Sequence, residues 1–234
     1  MITDYLQKSK SPFYSFIVTL PMFLLYELGI FLMRGTEFSY VKNGADVLIE
    51  DMISTLGFDI FYISSSIFLL AFFIIAYLQK KNYDSFEIYK SYILIILLES
   101  LLYAFLLFLF LGNVSLYLMD VSVENIQFNI ILSLGAGIYE ELIFRVFSIF
   151  IFYQLIVFIF KSMTHFSAQF FALLLSSILF SLFHFMGAES FSQEAFTIRF
   201  IAGILLGILY INRGFGITAI THSFYDIFVI FQLT

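Results

Sequence analysis

Long apolar runs separated by short polar stretches fill this chain: residues 12 to 33, 58 to 79, 91 to 111, 126 to about 161, 166 to 185, 194 to 212 and 215 to 233. Most are close to the roughly 20 residues that an α-helix needs to cross the hydrocarbon of a bilayer. The fourth is too long for one simple crossing. It predicts either one tilted helix or a span ending near Arg145 followed by a shorter helix over Ser148 to Lys161, so seven and eight spans are both open. The continuity of the runs disfavours a barrel, whose strands would show short alternating segments. The expected fold is all-α, a polytopic transmembrane helical bundle forming one integral membrane domain over residues 1–234, with its active portion in about 126–233.

Composition agrees with this pattern. Sixty-two per cent of the 234 residues are hydrophobic and 12% are charged, and the mean hydropathy is +1.01, well outside the range of water-soluble domains. The first run follows Lys8 and Lys10 as a signal peptide would, but it is long, contains Glu27 and has no small-residue cleavage site, so it reads as a retained span. Residues from Arg34 to Gly57 mix Val47, Leu48, Met52, Ile53 and Leu56 with Asp46, Glu50 and Asp51 in a helical rhythm, as an interfacial helix would. Lys8 and Lys10, then Lys80, Lys81 and Lys90, outweigh Arg34 and Lys42 in the intervening loop, which predicts a cytoplasmic N-terminus.

The formal net charge of −6 supports no inference about partners, because several acids lie within or beside apolar runs. There is no cysteine, hence no disulfide framework and no thiolate chemistry. The 34 Phe and 15 Tyr are not interleaved with Lys and Arg, so nucleic acid is not an expected partner. The expected partners are the bilayer and a membrane-anchored protein or peptide.

The chemistry concentrates in the second half. An ionisable group inside a span costs about 2.5 to 3.5 kcal/mol on insertion scales, so each must be paired, wet or functional. Glu141 and Arg145 stand at i,i+4 and can form an ion pair, whereas Glu140 is rotated by about 100° and has no evident local partner. An isolated buried carboxylate is in the environment a general base needs. Phe180 and His184 stand at i,i+4 on a later run. His222 and Asp226 repeat the spacing on the last, where the carboxylate can orient the imidazole. Three helices could thus direct Glu140, His184 and His222 with Asp226 towards one point.

In order and content these patches match EExxxR, FxxxH and HxxxN/D. Over roughly Gly135 to Asp226 the sequence resembles the CAAX prenyl endopeptidases and bacteriocin-processing enzymes, a family of intramembrane endopeptidases. The resemblance implies that Glu140 and His184 activate water and that His222 with Asp226 stabilises the oxyanion. An ionised Asp226 would repel an oxyanion, so its expected role is to orient and charge His222. Glu141, Arg145 and Phe180 are expected to support these groups from behind. No cofactor is expected, although Glu, His and Asp are also good Zn²⁺ ligands and a metal-activated water is the alternative mechanism. The zincin signature HExxH is absent.

Two other classes compete. A proton- or ion-coupled transporter would use the same charges as a relay, but Pro12 and Pro21, the only prolines, lie far from them in sequence. A non-catalytic immunity or scaffold protein would retain the fold without turnover. Glu27, Glu99 and Arg199 are further buried-charge candidates without local partners, and His165 beside Lys161 reads as interfacial. Gly203 with Gly207, and Gly135 with Gly137, read as close helix contacts, and Asn212 to Gly216 as a tight hairpin. The expected location is a bacterial inner membrane, with the substrate a prenylated CAAX tail, a leader peptide or a C-terminal sorting signal.

Overall fold

A computed structural model describes residues 2–33, 42–57, 63–83, 88–115, 126–187 and 189–233. Arg34 of the charge comparison and the start of the second apolar run, 58–62, lie outside these residues. The elements are α1 (Ile2–Ser9), α2 (Pro12–Leu32), α3 (Gly44–Ser54), α4 (Ile63–Tyr83), α5 (Lys90–Ser115), α6 (Ile126–Gly135), α7 (Ile149–Ile159), α8 (His165–Phe183), α9 (Gln193–Arg213) and α10 (Phe215–Leu233). No strand occurs among the described residues.

Local chemistry sets several of these ends. Ser11 caps α2, its hydroxyl accepting from the Tyr14 amide at 3.3 Å, and Pro12 fills the first turn, where its missing N–H costs nothing. Thr164 and Ser192 cap α8 and α9 in the same way. Gly214 alone separates α9 from α10; its φ of 82° and its amide bond to the Tyr210 carbonyl at 2.8 Å make the predicted hairpin.

Five described helices are long and apolar enough to cross a membrane: Pro12–Leu32, Lys90–Leu111, Ile126–Ile159, His165–Met186 and Gln193–Arg213. Polarity is distributed as a bilayer requires. Leu24, Leu25, Leu28, Leu94, Leu98, Phe105 and Leu109 point outward, while Ser100, Ser176, Ser181, Thr218 and Thr221 are buried at 1% exposure or less. The inward hydroxyls bond across helices, Ser223 to the Ser133 carbonyl at 2.9 Å and Ser181 to the Phe196 carbonyl at 2.7 Å. The protein is a helical membrane bundle.

α10 is its axis. Residues 213–223 are buried without a break, and α10 packs on α2, α5, α6 and α9. Close approach depends on the predicted glycines. A Cβ on Gly137 would strike the Ser223 hydroxyl and the Ala219 backbone oxygen, and one on Gly203 would lie 3.1 Å from the Ser177 Cβ.

Of the two arrangements open for the fourth apolar run, the structure has the first, one helix of 34 residues, Ile126–Ile159. It passes through wider i→i+5 turns over Ala136–Glu140 and Leu142–Ser148, where the Ser148 hydroxyl bonds the Ile143 carbonyl at 2.8 Å. Turns of this kind occur frequently at functional sites. In α3, Asp46 is fully buried beside Ala45, whereas Val47, Asp51 and Met52 are exposed. The Asp46 carboxylate turns in because Tyr26 and Ser64 donate to it there.

Candidate active site

The wide turns of the α6–α7 helix carry Glu140 and Glu141 into the bundle, at 6% and 0% exposure. At the far end of α8 the helix tightens into a single turn, His184–Met186, which places His184 opposite them. α10 supplies His222 and Asp226 from the third side. Asn43, Glu140, His184, Arg199, His222 and Asp226 all line one cavity of about 290 Å³. Sequence depth along each span does not predict this convergence.

Glu140 has two partners. Asn43 Nδ2 donates to its Oε1 at 2.9 Å, and His184 Nε2 lies 3.9 Å from its Oε2. Both neighbours come from elements remote in sequence, where the helical spacing around Glu140 names no local partner. His184 is held by its other nitrogen: Nδ1 is 2.9 Å from the Phe180 carbonyl. A carbonyl only accepts, so Nδ1 carries the proton, and in the neutral ring Nε2 presents a lone pair to the cavity.

Glu141 does more than pair with Arg145. Its Oε2 is 3.2 Å from Arg145 Nε, and its Oε1 is 2.8 Å from His222 Nδ1. The same imidazole meets Asp226 on its other side, Nε2 to Oδ2 at 3.6 Å. His222 therefore lies between two carboxylates and donates from Nδ1 to Glu141. The Arg145 guanidinium, fully enclosed, stacks 4.2 Å over the Phe180 ring, a cation–π contact strengthened by the absence of water. Phe180 in turn meets the His184 ring edge-on at 5.0 Å and the His222 ring at 6.1 Å. The aromatic of FxxxH is the wall against which both imidazoles and the arginine rest.

The remaining charges resolve into pairs. Glu27 accepts from Ser65 at 2.6 Å and from Tyr139 at 3.1 Å. Glu99 binds Arg213 through both oxygens at 2.6 and 2.8 Å and accepts from Tyr5, tying α1 to the bundle. Arg199 lines the cavity and is clamped by Glu189 through two bonds of 2.8 Å. His165 stands apart, its Nδ1 2.6 Å from the Tyr153 hydroxyl at an exposed position. Asn43 is the site residue that the sequence pattern missed. Its one local signal was an Asn followed by a helix, which reads as an N-cap and not as a partner for Glu140. Among the described residues no group of three or more His, Asp or Glu converges in a geometry that could hold a metal ion.

Paired carboxylates and imidazoles thus converge on one cavity of a helical membrane bundle. Residues 122–228, which carry all three motifs, match the family model described as type II CAAX prenyl endopeptidase Rce1-like, so over this segment the chain is similar to that family. No curated protein and no solved structure matches the chain. Asn43 lies outside the matched segment.

Proposed function

We propose that the protein hydrolyses a peptide bond in a membrane-tethered or membrane-inserted polypeptide, with Glu140 and His184 activating the attacking water. The observation that carries this reading is the 3.9 Å separation of Glu140 Oε2 and His184 Nε2, two acceptors facing one cavity. That gap is too long for a direct bond and suits a water that donates one hydrogen to each. As the water oxygen attacks the scissile carbonyl carbon, its proton passes to Glu140. Collapse of the tetrahedral intermediate breaks the C–N bond, and Glu140 returns the proton to the leaving amine. A positioned base of this kind contributes roughly 10²–10⁴-fold.

His222 is the group suited to the oxyanion. With Glu141 accepting from Nδ1 and Asp226 beside Nε2, the ring can hold both protons and direct a charged donor into the cavity. Asp226 orients and charges the ring and does not itself bind the oxyanion. Glu141 is held by Arg145 and acts through His222.

The test is a comparison of peptide termini in membrane and shed fractions of cells carrying wild type or Glu140→Gln. New termini should appear in the wild type alone, and their sequences will identify a CAAX-type tail, a leader or a sorting signal as the substrate. Identical termini in both would overturn the proposal.

A further inference from the structure

Asn43 caps α3, its Oδ1 accepting from the Ala45 amide at 2.9 Å. Capping commits the oxygen of the carboxamide and leaves the nitrogen facing Glu140 Oε1 at 2.9 Å. The opposite orientation would put the NH₂ against the Ala45 N–H and an oxygen against a carboxylate, two repulsions at once. The backbone is fixed as well. The Asn43 amide donates to the Tyr26 hydroxyl at 3.1 Å, and Tyr26 donates to the buried Asp46 at 2.9 Å. Ser64 donates to the other Asp46 oxygen. The adjacent cation, Lys42, is engaged by Glu50 at 2.6 Å.

We propose that Asn43 is a positioning residue for Glu140. By occupying Oε1 it turns Oε2 towards His184 and the cavity, and so selects which oxygen takes the proton. A neutral amide suits this task, because a lysine or arginine in its place would neutralise the base it holds. The site is then completed by the N-terminus of α3, outside the segment that defines the family. This inference rests on the hydrolase reading of the cavity.

Asn43→Ser and Asn43→Thr both keep an N-cap while removing the donor to Glu140. On a substrate that the wild type cleaves and Glu140→Gln does not, both variants should lose roughly tenfold to 10²-fold in kcat, the scale of a misplaced catalytic group. KM should stay within about twofold, and any fall in melting temperature should be too small to account for the lost kcat. Unchanged kcat in either variant overturns the inference and leaves the hydrolase reading standing. Should the wild type cleave nothing, that reading fails instead, and melting of Asn43→Ser, Glu140→Ala and the double variant still tests the contact. Non-additive shifts support the positioning contact, since capping alone would cost the same in both backgrounds, and additive shifts overturn it.

Discussion

The Phe180 carbonyl fixes His184 through Nδ1 at 2.9 Å, and this single bond decides what the ring offers to the cavity. It gives the spacing of FxxxH a physical meaning. A helical carbonyl four residues back is left open where α8 tightens into the His184–Met186 turn, and the histidine takes it up. His184→Ala should lower kcat by roughly 10²–10⁴-fold with a smaller change in KM. Steady-state kinetics at constant melting temperature tests this; an equal rise in KM with kcat intact would place His184 in binding rather than in water activation.

Removing Glu141 should damage the protein more than the chemistry alone would. Glu141→Ala leaves the buried Arg145 charge without its carboxylate and frees His222 Nδ1, a defect of about 3–5 kcal/mol in related buried pairs. Thermal unfolding in detergent should show the loss. A second substitution, Arg145→Met, should recover much of the stability but not the activity, because the contact to His222 stays broken.

Gly137 controls the distance between the helix that carries Glu140 and α10. An added methyl meets the Ala219 backbone oxygen, which cannot rotate away, so Gly137→Ala should cost about 1–3 kcal/mol. It should also reduce activity beyond what the melting shift explains, since the separation opens the Glu141 to His222 contact. Full activity in a correctly folded variant would show that the two helices need not be this close.

Chelation separates the two chemistries considered for the water. If Glu140 is the base, strong chelators should leave cleavage rates of the purified protein within about twofold, because general-base transfer needs no Lewis acid. Loss of activity that added Zn²⁺ restores would replace this mechanism with a metal-assisted one.

The helices and the three motifs were legible in the sequence because both depend on local spacing: apolar runs of bilayer length, and polar groups one turn apart. The relations among helices were not. An i,i+4 pattern names Arg145 for Glu141, but the shorter contact runs to His222, 81 residues away. Asn43 is 97 residues from Glu140 and looks like an ordinary cap. The burial of Asp46 in α3 was also unreadable, because its donors Tyr26 and Ser64 lie 20 and 18 residues away. The wide turns at Ala136–Glu140 and Leu142–Ser148 leave no mark in composition.

The most direct measurement is cleavage by the purified wild type and Glu140→Gln in ¹⁸O-labelled water, followed by mass spectrometry of the products. Hydrolysis by Glu140-activated water predicts a new carboxyl terminus bearing one ¹⁸O with the wild type, and a rate at least about 10²-fold lower with Glu140→Gln. Equal cleavage by both proteins, or a new terminus without the label, would contradict it.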